Sequence, residues 1–284
     1  PGSVNGGPFF AAEAVHETTS PEDATEFVRY LASRKVDMVK FWVDDRGGSK
    51  AKLSPDIQRA IVSEAHRHGI KAAAHIYTID DAKSALRAGA DVLAHMPRSA
   101  RPDSELIDML LEQETAVFTS ISIQSPMATD WLDDPLVQDT IPAAAIAQLR
   151  TQIEAQAPEP LFDTGATAAR LIETFQILRD AGVRLVFSAD TGLLAQLPGI
   201  AEHRELEALV HAGLTPIEAI RLATSDSADL LGLDDRGLLA AGKRADLLIL
   251  DADPVTDITR TRRINAVHLA GQQLDRTAIR GQLQ

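Results

Sequence analysis

Apolar runs of strand length recur along this chain, and most are followed by a stretch of helical periodicity, an alternation that points to a parallel sheet. The first run covers residues 36–42. Ser54 and Pro55 then supply an N-cap and a proline at the first helical position for a helix to about residue 66, which Gly69 closes before the run at 70–76. The unit repeats as a short helix over 80–87 stopped by Gly89, a strand over 91–96, a helix over 103–112 and a strand over 116–120. Residues 121–160 break the rhythm. Pro126, Pro135, Pro142, Pro158 and Pro160 surround Trp131 and a helical stretch near 143–155, an excursion of the kind that covers sites rather than a tight turn. A long amphipathic helix over 164–181, ended by Gly182, restores the alternation, and 183–188 is a fifth strand, apolar enough for burial on both faces.

Beyond Asp190 the pattern is helical over 201–212 and again from Thr215 and Pro216 to 223, after which 245–251 and 264–269 read as strands with no helix between them. Five successive strand and helix units fit an α/β fold of the (β/α)8 barrel type better than an open sheet. Such a barrel takes ~250 residues by itself, so the expectation is that the first three strands precede Pro1. Lys and Arg total 28 against 41 Asp and Glu, a formal charge of -13 that would repel phosphate backbones and argues against nucleic acid. Apolar runs stay short of the ~20 residues a membrane-spanning helix needs, and Pro1, Gly2 and Ser3 open no secretory leader. The expectation is a soluble chain whose compartment is open, with the cytoplasm favoured. Without cysteine, disulfides and thiolate nucleophiles are excluded, and any metal must be held by His, carboxylate or a modified side chain.

In barrels and parallel sheets the chemistry sits at the C-terminal ends of strands, and four runs end suggestively. Lys40 lies within an apolar run, where an ammonium costs several kcal/mol of desolvation unless neutralised or paired. His75 ends the second run, His95 the third and Asp190 the fifth. Each alone has a structural reading: a snorkelling lysine, satisfied core imidazoles, an aspartate capping the next helix. Together, a barrel would converge all four on one mouth. Two neutral imidazoles and a carboxylate suit zinc or a similar divalent ion, and a deprotonated buried lysine could take up carbon dioxide as a bridging carbamate. A metal so held activates water, with Asp190 placed to take the proton and pass it to the leaving group.

The order of Lys40 in VDMVKFW, His75 in KAAAHIY, His95 in ADVLAHM and Asp190 in RLVFSAD resembles strands four, five, six and eight of the metal-dependent amidohydrolase superfamily. Residues 203–206, 212–216, Ala223, Thr224, Gly237, the GKRADL segment at 242–247, Asp253 and Pro254 are similar to the tail of its imidazolonepropionase-like and prolidase-like branch. The resemblance covers roughly residues 20–275. It implies a barrel part over 1–235 and, over 236–284, the C-terminal part of a small β-sandwich domain. It also implies a hydrolase with one or two divalent metals, zinc above all, in which His75 and His95 hold one ion, carboxylated Lys40 bridges, and Asp190 binds the other and shuttles the proton. The first-strand His-x-His pair of that family has no counterpart here. His66 and His68 lie at the end of an outer helix, where i and i+2 point apart, and read as a solvated terminus beside the C-terminal dipole.

Among secondary candidates, Tyr77 could bond a substrate carbonyl or carboxylate, as the matching tyrosine does in the prolidase-like branch, or pack in its loop. Arg98 could pair with an anionic substrate group or bridge to surface carboxylates. His203 reads equally as a cap neighbour and is not taken as a ligand. Asp44, Asp45 and Arg46 follow the first run in a charged turn with Gly47 and Gly48 that needs no function. His16, His211 and His268 have no constellation, and Asp253 with Pro254 marks a turn. The leading expectation is hydrolysis of an amide or other C–N bond of a small molecule, such as a dipeptide, an N-acyl amino acid or a cyclic amide, by metal-bound hydroxide. The alternatives are a lactonase or phosphotriesterase on the same scaffold, and a non-catalytic module that keeps a partial metal site. Open sheet edges would favour pairing into a homo-oligomer.

Overall fold

A computed structural model of the chain describes residues 15–45, 48, 51–124, 129–155, 164–192 and 196–282. Arg46, Gly47, Pro126, Pro158, Pro160 and the residues before 15, all used in the sequence reading, lie outside the described residues. The chain divides into two compact units, one of residues 1–119 with 173–185 and the other of 120–172 with 186–284.

In the first unit, helix α1 (Pro21–Ser33) is started by Ser20, whose hydroxyl accepts from the Asp23 N–H. Strand β1 (Met38–Trp42) follows, then α2 (Pro55–Arg67), capped by Ser54 through the Ile57 N–H. Ala24 and Val28 of α1 and Ile57, Ile61 and Ala65 of α2 are buried at the i, i+4 spacing of one helical face, and the two helices pack together. Strand β2 (Lys71–His75) leads to α3 (Ile79–Arg87), whose Thr78 and Asp81 form a reciprocal capping box. Strand β3 (Val92–Leu93), helix α4 (Ser104–Glu112), capped by Asp103, and strand β4 (Ala116–Phe118) complete the run. Helix α7 (Thr164–Asp180) brings the chain back, and Leu185 of β5 (Leu185–Val186) closes the unit.

The strands stand in the order β1-β2-β3-β4-β5, with parallel pairing from β1 to β4. A spatial order that repeats the chain order is that of a barrel segment, since a doubly wound sheet reverses direction at a switch point. β1 and β2 pair with Lys40 opposite Ala73 and Trp42 opposite His75. Val39 and Phe41, on the other face of β1, are buried, as are Ala72 and Ala74 of β2. The residues of β1 that matter for chemistry therefore share one face, because successive side chains alternate.

In the second unit the excursion builds a core of its own. Trp131 and Leu132, Val137 of α5 (Pro135–Thr140), Ile146 and Ile153 of α6 (Ala143–Ala155) and Ile200 of α8 (Ile200–His211) form one buried cluster. Arg262 ties α8 and α5 to a 3-10 turn (Ile258–Arg262), bonding Asp134 at 2.6 Å and pairing with Glu207. α9 (Pro216–Arg221) runs through a π-helical turn (Leu222–Asp226) into α10 (Ser227–Leu230). β6 (Leu247–Leu250), β7 (Ile264–Leu269) and β8 (Gln272–Gln273) form an antiparallel sheet, followed by α11 (Arg276–Gly281). Among the described residues no helix is long and apolar enough to cross a membrane.

Candidate functional site

In the first unit the β1–β2 ladder carries two of the sequence candidates to one place. Because Lys40 and Trp42 are two residues apart on a strand, they share a face, and the Lys40 Nζ lies 5.1 Å from the centre of the Trp42 ring. The Trp42 ring in turn lies 5.5 Å from the His75 imidazole, at 43°. The ladder runs one residue past the strand, with the Val43 N–H donating to the His75 carbonyl at 3.0 Å.

His95 follows two residues after β3. The Ala94 N–H donates to the Ala74 carbonyl, which keeps the chain in register with β2 just before His95 leaves the sheet. The His75 and His95 rings meet edge to face, 4.7 Å apart at 82°. His95 is buried and His75 nearly so. Burial, with a smaller push from the Arg98 and Lys40 charges, lowers the His75 imidazole to about 4 even though Asp44 pulls it the other way. His95 is held well below the usual histidine range by burial first, then by Arg98, His75 and Lys40. Both imidazoles are therefore neutral at neutral pH, the protonation state a metal ligand requires.

Arg98 is buried, close enough for its charge to act on both histidines, and its backbone N–H donates to the Tyr77 carbonyl at 2.9 Å. Tyr77 is half-buried and enters the capping turn of α3, its N–H reaching the Asp81 carboxylate at 3.4 Å. So Lys40, His75, His95, Arg98 and Tyr77 belong to one unit, and the first three form a continuous row through the Trp42 ring.

Asp190 belongs to the other unit, four residues past β5. Its φ of +50° is a left-handed conformation that aspartate tolerates better than most residues, and its N–H reaches the Ser188 Oγ at 3.4 Å. It does not cap α8, which starts at Ile200 with Gly199 as its N-cap. In the same unit Glu205, fully buried, accepts from the Ile121 and Ser122 N–H groups at 3.0 and 2.7 Å, and His203 bonds the Thr261 hydroxyl at 2.9 Å. His66 and His68 turn to different carboxylates, Asp91 at 2.8 Å and Glu64 at 3.2 Å, as a helix terminus demands.

Two residues at the row escaped the sequence reading. Trp42 reads there only as an apolar strand member, and Asp44 as part of a charged turn. In the structure the Asp44 Oδ2 is 2.8 Å from the His75 Nε2, and both side chains are largely buried. The signal for Asp44 is its place directly after the strand whose neighbour ends in His75, which becomes readable only once the register is known.

The donor chemistry suits a divalent cation: two buried neutral imidazoles in contact, with a lysine in the same row. Among the described residues no three His, Asp or Glu side chains are grouped to hold one ion.

A model of the amidohydrolase family matches residues 15–274. An uncharacterized protein of Mycobacterium tuberculosis is 28% identical over 249 residues, 86% of this chain and 59% of that protein. The imidazolonepropionase of Deinococcus radiodurans is 47% identical over 64 residues, 22% of this chain and 16% of that enzyme. Among solved structures, a Xaa-Pro dipeptidase with bound methionine superposes with a TM-score of 0.69 at 23% identity, over 90% of this chain and 59% of that one. The last likeness shows the fold. The chain spans about three-fifths of the length of the mycobacterial relative.

Proposed function

This chain belongs to the amidohydrolase family, and from that premise we propose that it hydrolyses an amide or other C–N bond of a small molecule with a divalent metal, zinc by preference, held at His75 and His95. The observation that carries the reading is the pair of buried, neutral imidazoles in edge contact beside Lys40. When bound, the cation supplies a Lewis acid that acidifies water and polarises a carbonyl. Lys40, carboxylated on Nζ, is the further ligand that would bridge to a second ion. Arg98 faces an anionic group of the substrate, and Tyr77 donates to its carbonyl or carboxylate. Asp190, assigned on its position after β5 and on the family pattern, is the remaining ligand and carries the proton from the attacking water to the leaving nitrogen. Residues 1–235 are proposed as barrel and 236–284 as part of a small β-sandwich domain. The Xaa-Pro dipeptidase supports a C–N bond as target by its own name; the substrate class is part of the proposal.

The test is a panel of dipeptides, N-acyl amino acids, cyclic amides, lactones and phosphotriesters, assayed with the zinc-loaded protein and its Asp190→Asn variant. We expect turnover of at least one C–N substrate and a loss in kcat/KM of at least about 100-fold in the variant. A folded Asp190→Asn protein with undiminished turnover would refute the assignment of Asp190. Turnover confined to lactones or phosphotriesters would replace the reaction class, and inertness of the whole panel would favour a binding module.

A further inference from the structure

Asp44 lies in the loop that leaves β1, and two bonds tie this stretch to the same residue. The Val43 N–H donates to the His75 carbonyl at 3.0 Å, and one residue later the Asp44 Oδ2 is 2.8 Å from the His75 Nε2. The backbone bond fixes where the loop starts, and the side-chain bond fixes how the ring is turned. Trp42 at 5.5 Å and His95 at 4.7 Å limit the ring on two further sides. A flip about the Cβ–Cγ bond would exchange a nitrogen for a carbon against the carboxylate and forfeit a largely buried hydrogen bond.

An ionised carboxylate only accepts, so whatever the charge of the imidazole, the nitrogen that faces it carries a hydrogen. In the neutral ring that leaves the lone pair on the other nitrogen. We propose that Asp44 is a positioning residue that fixes the His75 imidazole with its hydrogen on Nε2 and thereby presents Nδ1 as the electron-pair donor. Histidines that bind metals commonly donate their second nitrogen to a carboxylate, which sets the tautomer and raises the basicity of the ligating nitrogen. Use of Nδ1 for a metal rests on the function proposed above; the tautomer and its cause do not.

The loop is also anchored away from the ring. Lys52 bonds Asp81 at 2.5 Å and lies 3.7 Å from Asp45, next to Asp44 in the chain, and the charges of Asp81, Asp45 and Asp44 all help to hold its ammonium protonated against burial. This places a cation near the Asp44 carboxylate and ties the loop to α3 as well as to β2.

Nitrogen-15 NMR of the metal-stripped protein labelled at histidine tests this, with His75→Gln to assign the ring. The expected result is a protonated Nε2 and a bare Nδ1 for His75, with a slowly exchanging Nε2–H signal. That signal should be lost in Asp44→Ala and kept in Asp44→Asn, whose amide oxygen can accept the same bond. Zinc affinity, titrated with zinc ion alone, should fall about 10- to 100-fold in Asp44→Ala and be largely restored in Asp44→Asn. A proton on Nδ1 in the unmutated protein, or an unaltered Nε2–H signal in Asp44→Ala, would overturn the proposal. If Asp44→Ala does not fold, the tautomer of the unmutated protein and the retention or loss of the signal in Asp44→Asn decide it. A correct tautomer with no zinc binding in any variant would strike the metal reading and leave the role of Asp44 intact.

Discussion

The Lys40 ammonium, 5.1 Å from the centre of the Trp42 ring, has an aromatic face to stabilise its charge, while the proposed bridging ligand is a carbamate and therefore an anion. The two states compete for one side chain. Carbamate formation needs the free amine, so a neighbouring cation that attracts the anionic product must tip the balance away from the ring. This predicts that a carbamate carbon signal from 13C-bicarbonate appears only after zinc is added and is missing in Lys40→Met, which also should hold at most one zinc per chain. A zinc-loaded protein without that signal would remove Lys40 from the ligand set. At this scale the sequence revealed the chemistry-bearing types and their strand-end spacing, which was enough to bring His75 and His95 together. It could not reveal Asp44. Its partner is 31 residues away and is reached only because β1 and β2 are neighbours in a definite register.

Elements were legible where a local rule forms them. Ser54 with Pro55 starts a helix as expected, and 264–269 is a strand over its whole expected length, while the Thr78 and Asp81 capping box that starts α3 shows only in the structure. The strands at 91–96 and 183–188 shorten to Val92–Leu93 and Leu185–Val186, because apolar character reports burial rather than ladder bonds, and Ala94 and Met96 remain buried outside the strand. The helix opened by Thr215 and Pro216 passes through a π turn at Leu222–Asp226, which no periodicity over so few residues can announce. Gly237 packs against that turn. At its φ of +84° a Cβ would lie 2.8 Å from the Ala228 Cβ and 3.0 Å from the Thr224 carbonyl oxygen. Gly237→Ala should therefore cost about 1–2 kcal/mol for the left-handed backbone and more for the contact. Gly242 has almost the same φ, +85°, with nothing within 4 Å, so Gly242→Ala is the matched control. Thermal midpoints of the two variants should differ by at least about 2 °C, Gly237→Ala being the lower, and equal midpoints would show that the turn yields.

For the molecule as a whole, the buried histidines govern how it meets acid. His75 is lowered to about 4, His95 well below its ordinary value, and His203 is lowered as well, in each case chiefly by burial. As pH falls below about 6.5, the unfolded chain takes up protons on these three rings before the folded chain does, so stability declines with falling pH, by up to about 1.4 kcal/mol per unit for each ring. The decline from His75 ends near 4, where the folded state also binds its proton. Glu64 acts in a lower window. Burial pushes its carboxyl up, but the bonds from Arg29 and His68 outweigh this and hold it below the usual range, so the stability it contributes is present above its unfolded value and is lost as pH falls through the folded one. Urea unfolding of the metal-stripped protein should thus show a midpoint that drops steadily from pH 6.5 towards 4.5. His203→Gln, a change in the unit that does not hold His75 and His95, should flatten the decline for transitions of its own unit. A midpoint constant over that range would mean that the rings take up protons without unfolding, and that the neutral state on which their use as ligands depends is not imposed by the fold.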